Sequence, residues 1–284
     1  MEITATIPEL RSYIVEARKK NHTIGLVPTM GALHEGHLSL VRASKKKCDI
    51  TVISIFVNPI QFGPTEDLAK YPRTLEQDTE LLTKEKGDIL FVPLKEEMYS
   101  EEASTFVTVE NITVGFEGEI RPMHFRGVAT VVASLFNIVQ PDFAFFGQKD
   151  LQQAAVIKRM IRDMHFPIQM EVCETVREAG GLAMSSRNRF LSFDEREESL
   201  IIYKTLFEIR DNLLLGLPIR EAKLKGIKLF NSLKKKAELE YLDIIDPETF
   251  QLAESFKSNK EVGVVIAAKL GVTRLIDNIL VKAI

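Results

Sequence analysis

Apolar positions recur at helical spacing over residues 8–20, a stretch that ends in a basic turn, and the short apolar run at 23–27 that follows is closed by Pro28. The pattern predicts a helix and then a strand. Four further runs, at 50–57, 88–92, 142–146 and 168–173, are almost continuously apolar rather than alternating. Such runs suit strands covered on both faces. Helical patterns at about 37–47, 74–86, 126–139 and 150–164 lie between them. The resulting strand–helix alternation predicts a parallel α/β sheet with right-handed crossovers. Residues 1–175 are therefore expected to form a Rossmann-like, doubly wound domain.

The character of the chain changes after Cys173. A Gly-Gly pair and a Ser-Ser-Arg-Asn-Arg loop lead into two long amphipathic patterns at about 194–215 and 219–237. Three strand patterns, at 240–245, 262–268 and 274–280, alternate partially, which suits a small antiparallel sheet with one solvated face. Residues 176–284 are expected to form a smaller α+β domain acting as a lid.

Length and charge narrow the class. With 284 residues the chain can bury a full core. Its 37 Lys and Arg against 40 Asp and Glu leave a net charge of -3, which supplies no global field for a nucleic-acid backbone. The two cysteines, Cys48 and Cys173, lack metal-type or redox-type spacing. The first 20 residues carry acids within their apolar stretch, and no apolar run approaches the ~20 residues of a membrane span. These features predict a cytoplasmic protein with no nucleic-acid or membrane partner. The Lys runs at 45–47 and 234–236 read as solvated helix ends.

The first chemical constellation is Pro28, Thr29, Met30, Gly31, Ala32, Leu33, His34, Glu35, Gly36 and His37, between the first core strand and the next helix. Ligands settle at such carboxyl ends of strands in open α/β sheets. A helix start there is expected to offer unpaired backbone N–H groups and a positive dipole end to an anion such as phosphate. Gly31 and Gly36 allow close approach, and the three-residue spacing of His34 and His37 puts both imidazoles on one side. A lone histidine here would read as a helix cap or a surface residue. The zinc pattern H-E-x-x-H is absent, as are the G-x-G-x-x-G and Walker patterns. What remains is a nucleotide-phosphate site with paired imidazoles.

Three more groups follow predicted core strands or the domain junction. Asn58 and Gln61 offer amides in a turn stiffened by Pro59 and lined by Phe62, which suits a small hydroxylated substrate with a short branched carbon body. Gly147, Gln148, Lys149 and Asp150 open the pattern at 150–164: Lys149 suits phosphate, and Asp150 suits ribose hydroxyls or a helix cap. Gln153 lies one turn on and can face the same cleft. Finally Ser185, Ser186 and Arg187 form a donor-rich loop matched to triphosphate oxygens.

Taken together, these residues resemble the pantoate–β-alanine ligase family of the nucleotidylyltransferase superfamily. The resemblance rests on PTMGALHEGH at 28–37, FGQKDLQQ at 146–153 and MSSRN at 184–188. It is extended by YPRT at 71–74, HFRGV at 124–128 and RLIDN at 274–278. Gln148 stands where the family often has Glu, Gly180 where it often has Asp, and Met123 where it often has Gly.

The resemblance implies that the pantoate carboxylate attacks the α-phosphorus of MgATP and that the amine of β-alanine then displaces AMP. It implies ATP contacts from residues 28–37, from Gly147, Gln148, Lys149 and Asp150, and from Val176, Met184, Ser185, Ser186 and Arg187. The catalytic set is His34, His37, Lys149 and Arg187, with His37 also a candidate proton donor to pyrophosphate. Pantoate is expected on Asn58, Gln61 and Gln153, β-alanine on Gln61, Mg²⁺ in part on Asp78, and the working form as a homodimer. Two rival readings are adenylyl transfer to a phosphorylated acceptor, which calls for extra Lys or Arg near 58–61, and nucleotide sensing without turnover.

Overall fold

The computed structural model describes residues 1–63, 66, 68–257 and 259–283. The chain divides into two compact units, one of Met1–Gly147 with Val156–Glu174 and the other of Gln148–Ala155 with Thr175–Ile284. The eight residues 148–155 thus group with the C-terminal part of the chain, a partition that a single cut near residue 175 does not contain.

The first unit is a six-stranded, wholly parallel sheet flanked by helices. Its elements run β1 (Glu2–Thr4), α1 (Ile7–Lys19), β2 (Ile24–Thr29), α2 (Glu35–Lys47), β3 (Ile50–Ile55), α3 (Leu75–Lys84) and β4 (Ile89–Phe91). After these come α4 (Lys95–Met98), α5 (Phe116–Ile120), α6 (His124–Val139), β5 (Phe143–Gly147), α7 (Leu151–Asp163), whose first turn falls in the second unit, and β6 (Gln169–Cys173). The strand order β1-β4-β3-β2-β5-β6 reverses direction between β2 and β5. That reversal is the switch point where α/β sheets open a crevice at the strands' carboxyl ends.

The continuous apolar runs become strands because both faces are covered. Val27, Ile53, Leu90 and Phe145 pack with Leu38 and Val41 of α2 and Leu82 of α3 in one core cluster. Burying such a side chain contributes about 1.5–3 kcal/mol. Pro28 does not end its strand, contrary to the sequence expectation. Thr29 accepts from Phe56 on the β3 side, so by alternation Pro28 faces β5, where pairing stops at Leu26. Its missing N–H therefore costs no ladder bond.

The second unit packs α8 (Phe193–Leu214) and α9 (Ile219–Leu233) on an antiparallel sheet of β7 (Glu238–Ile245), β8 (Glu261–Leu270) and β9 (Thr273–Lys282), with β8 central. Ser192 and Glu195 start α8 with a reciprocal capping box. The expected solvated face is not what β8 shows. Val262, Val264, Ile266 and Ala268 enter the helical core, while Val265 and Ala267 on the opposite face are also buried. There a Cβ on Gly263 would stand 3.2 Å from Leu151 Cδ2, so the segment 148–155 covers that face. Among the described residues no helix is long and apolar enough to cross a membrane.

Candidate active site

At the end of β2 the backbone turns through left-handed conformations at Gly31 (φ 80°) and Ala32 (φ 51°). For an L-residue such as Ala32 this costs about 1 kcal/mol. Asp78, on α3 and 2% exposed, holds the turn: its Oδ2 accepts from Ala32 N–H at 2.9 Å and its Oδ1 from Leu33 N–H at 2.8 Å. The Thr74 hydroxyl donates to the same carboxylate. The metal-ligand role expected of Asp78 does not fit this geometry, because both oxygens already accept from the loop's backbone.

The helix start carries a second surprise. Gly36 N–H donates to His34 Nδ1 at 3.2 Å, and His34 N–H donates to His37 Nδ1 at 3.3 Å. Gly31 N–H reaches the Thr29 hydroxyl. The N–H groups of Gly31, Ala32, Leu33, His34 and Gly36 are thus engaged within the protein, whereas the sequence predicts orphan N–H groups held out to an anion. The two imidazoles act as the helix cap and remain side by side, with ring centroids 4.1 Å apart. Because each Nδ1 accepts a backbone N–H, the neutral ring carries its proton on Nε2.

The amide turn is built deeper than its sequence suggests. Asn58, 1% exposed, donates from Nδ2 to Gln61 Oε1 at 3.0 Å and to the Gly127 carbonyl at 3.1 Å. Its Oδ1 accepts from the Tyr99 hydroxyl at 2.9 Å. Asn58 therefore orients Gln61, whose Nε2 donates to Met30 Sδ at 2.9 Å. Burial pushes the Tyr99 phenol above its ordinary range, so it stays a neutral donor. Gly127 lets α6 lie against the turn: a Cβ there would stand 2.4 Å from Gln61 Cα.

His124 is placed to donate from Nδ1 to the Gln61 carbonyl at 3.2 Å, with its Nε2 3.2 Å from Arg121, which in turn pairs with Glu66. Burial alone would raise the Glu66 carboxyl, but the hydrogen bond and charge of Arg121 outweigh it and leave the group below its ordinary range.

In the second unit Gln148, Lys149 and Asp150 form a tight turn at the start of α7. Lys149 Nζ lies 3.6 Å from Asp150 Oδ1, and Gln153 stands half-buried on the first turn of the helix. Val176 to Met184 fold back on themselves: Met184 N–H donates to Val176 carbonyl, and Glu178 N–H to Leu182 carbonyl. This hairpin presents Ser185, Ser186 and Arg187. Ser185 Oγ accepts from Arg187 N–H, Arg187 is exposed, and buried Asn188 ties the loop to Glu178 and the Ala183 carbonyl.

The structure thus gathers His34, His37, Met30, Asn58 and Gln61 in the first unit, and Lys149, Asp150, Gln153, Ser185, Ser186 and Arg187 in the second. Sequence reasoning missed the supporting parts played by Asp78, Tyr99, Gly127 and His124. The HFRGV string was a visible signal for the last two.

The family model for pantoate-beta-alanine ligase matches residues 2–280. The chain is 48% identical to the pantothenate synthetase of Thermotoga neapolitana over 98% of its own length and 99% of the relative's. Its fold is similar to the crystal structure of pantothenate synthetase from Thermus thermophilus, with a TM-score of 0.92 and 42% identity over 98% of this chain and 99% of that one. It is also similar to the pantoate-beta-alanine ligase of Francisella tularensis, solved in complex with beta-gamma ATP and beta-alanine, at a TM-score of 0.79 and 33% identity over 99% of this chain and 97% of that one. With the His34–His37 pair, the amide turn and both units in place across that full-length match, the chain belongs to the pantoate–β-alanine ligase family.

Proposed function

We propose that this ligase of pantoate and β-alanine works in two half-reactions. In the first, the pantoate carboxylate attacks the α-phosphorus of MgATP, forming pantoyl adenylate and releasing pyrophosphate. In the second, the β-alanine amine attacks the acyl carbon and AMP leaves. The observation that carries this reading is the pairing of His34 and His37 at the start of α2 directly after β2, each accepting a backbone N–H at Nδ1, with ring centroids 4.1 Å apart. The complex of the Francisella relative with beta-gamma ATP and beta-alanine supports the choice of substrates.

The first unit's share is carried by imidazoles and amides. His34 and His37 donate to phosphate oxygens as negative charge develops, a contribution for which one lost donor costs about 3 kcal/mol. His37 is also the candidate to give a proton to the departing pyrophosphate. Gln61, oriented by Asn58, takes the pantoate hydroxyls and approaches β-alanine. Asn58 itself acts through Gln61.

The second unit's share is charged. Lys149 and Arg187 supply positive charge to the phosphates, Ser185 and Ser186 supply hydroxyl donors, Asp150 takes ribose hydroxyls, and Gln153 takes pantoate. Among the described residues no group of three or more His, Cys, Asp or Glu is arranged to hold a metal ion. Mg²⁺ would arrive with the nucleotide, as MgATP, and would offset phosphate charge there. The homodimer rests on family resemblance and is checked by light scattering at working concentration.

The test supplies ATP, D-pantoate and β-alanine and measures AMP and pantothenate in equal amounts. Labelled pyrophosphate should enter ATP when pantoate is present and β-alanine is withheld. Exchange that requires β-alanine, or no exchange at all, would sink the adenylate route.

A further inference from the structure

The string RLIDN at 274–278 has no part in the chemistry assigned so far, yet it places two buried polar side chains on β9. Asp277 is 4% exposed and Asn278 is 3% exposed. Successive strand residues face opposite sides of a sheet. Asp277 shares the side of Leu275, Ile279 and Val281, which enter the helical core, whereas Asn278 lies on the opposite side, level with Val265. Each face meets a different loop.

On the core side, Asp277 receives Arg177 at both oxygens, from NH1 at 2.6 Å and from NH2 at 3.0 Å. Arg177 also donates to the Gly181 carbonyl, closing the hairpin that leads into Met184–Arg187. Burial pushes the Asp277 carboxyl above its ordinary range, and Arg177, the Asn278 N–H and the charge of Lys149 offset only part of that rise. A buried charge held this way is costly to leave unpaired.

On the other side, Asn278 Nδ2 donates to the Lys149 carbonyl at 2.8 Å and to the Gln148 carbonyl at 3.0 Å, while its Oδ1 accepts from Gln148 Nε2 at 3.3 Å. One side-chain amide therefore satisfies two carbonyls of the turn that carries Lys149. The same strand anchors both the Lys149 turn and the Ser185–Arg187 loop, and does so from adjacent residues.

We propose that Asp277 and Asn278 are positioning residues of the adenylation step: Asn278 sets the Lys149 turn, and Asp277, through Arg177, sets the hairpin that presents Ser185, Ser186 and Arg187. This rests on the reading of Lys149 as a phosphate contact. Neither residue touches substrate in this account. Their effect is geometric, and a misplacement of about 1 Å at a reacting group can cost about a hundredfold in rate.

The test is a double-mutant cycle between Asn278→Ala and Lys149→Ala, read by pantoate-dependent pyrophosphate exchange. Asn278→Ala is expected to lower the exchange rate about tenfold and to leave the KM for β-alanine in the overall reaction unchanged. In the Lys149→Ala background the same substitution should add less than about a twofold loss, since the group it positions is gone. Arg177→Lys, which loses the paired contact to Asp277, should move the rate in the same direction by about twofold to threefold, and it keeps the test open if Asn278→Ala does not fold. Equal losses in both backgrounds, or wild-type exchange in folded Asn278→Ala and in Arg177→Lys, would overturn the proposal. Wild-type exchange in Lys149→Ala would instead remove the underlying reading of Lys149.

Discussion

The loop between β2 and α2 and the turn between β5 and α7 both carry side chains assigned to the nucleotide, but they are held from behind by opposite chemistry. The first loop directs its N–H groups inward, onto the Asp78 carboxylate and its own two imidazoles. The second directs two carbonyls inward, onto the Asn278 amide. Each loop's backbone must be satisfied before its side chains can be presented with precision. The direction of the peptide groups decides whether an acceptor or a donor does it.

The hardest blow to this comparison would be a wild-type turnover in His37→Ala or in Lys149→Ala. Each is expected to lose at least ~100-fold with the fold intact, measured by AMP formation and far-ultraviolet circular dichroism. Next in size is Asp78→Asn. An amide offers one acceptor where the carboxylate offers two, leaving one buried N–H facing a donor. That should destabilise the protein by about 1–3 kcal/mol and slow turnover about tenfold. A variant with normal urea midpoint and normal turnover would show that the loop holds itself.

A finer division separates the amide turn from both phosphate loops. Gln61→Ala is expected to raise the pantoate KM about tenfold while moving the ATP KM little, and Tyr99→Phe should raise the pantoate KM about threefold through the lost bond to Asn58. A larger change in the ATP KM would place the pocket wrongly. The smallest effect concerns acid. The Glu66 carboxyl, held by Arg121 below its ordinary value of 4.5, contributes stability that is present above about pH 4.5 and is lost as pH falls through its folded value. Glu66→Gln should flatten the stability profile in that range; an unchanged acid slope would remove the pair from the account.

Much of the frame was legible because it depends on short-range pattern. The apolar runs at 50–57 and 142–146 mark strands buried on both sides, and the spacing of His34 and His37 marks a shared face at a helix start. Elements were harder to read where long-range cover decides them. β1 is three residues with one buried side chain, and it forms by pairing with β4. β8 loses its solvated face because Leu151, more than a hundred positions earlier, lies over Gly263.

The site divides in the same way. Its outward residues could be named from their chemistry and their place after a strand, whereas the groups that hold them could not. Asp78 reaches Ala32 across 46 positions, Tyr99 reaches Asn58 across 41, and Asn278 reaches Lys149 across 129. Nothing local to Asp78 distinguishes a metal ligand from a clamp on backbone N–H groups.

By itself, the order of residues determined a parallel α/β unit followed by a smaller α+β unit, and set paired imidazoles, amides and cations at or beside strand ends. Tertiary structure alone decided which backbone groups those imidazoles cap, and therefore which ring nitrogen carries the proton. The physical reason is that hydrophobic period and turn chemistry act within a few residues, while a buried hydrogen bond is satisfied by whichever side chain the packed sheet brings within about 3 Å.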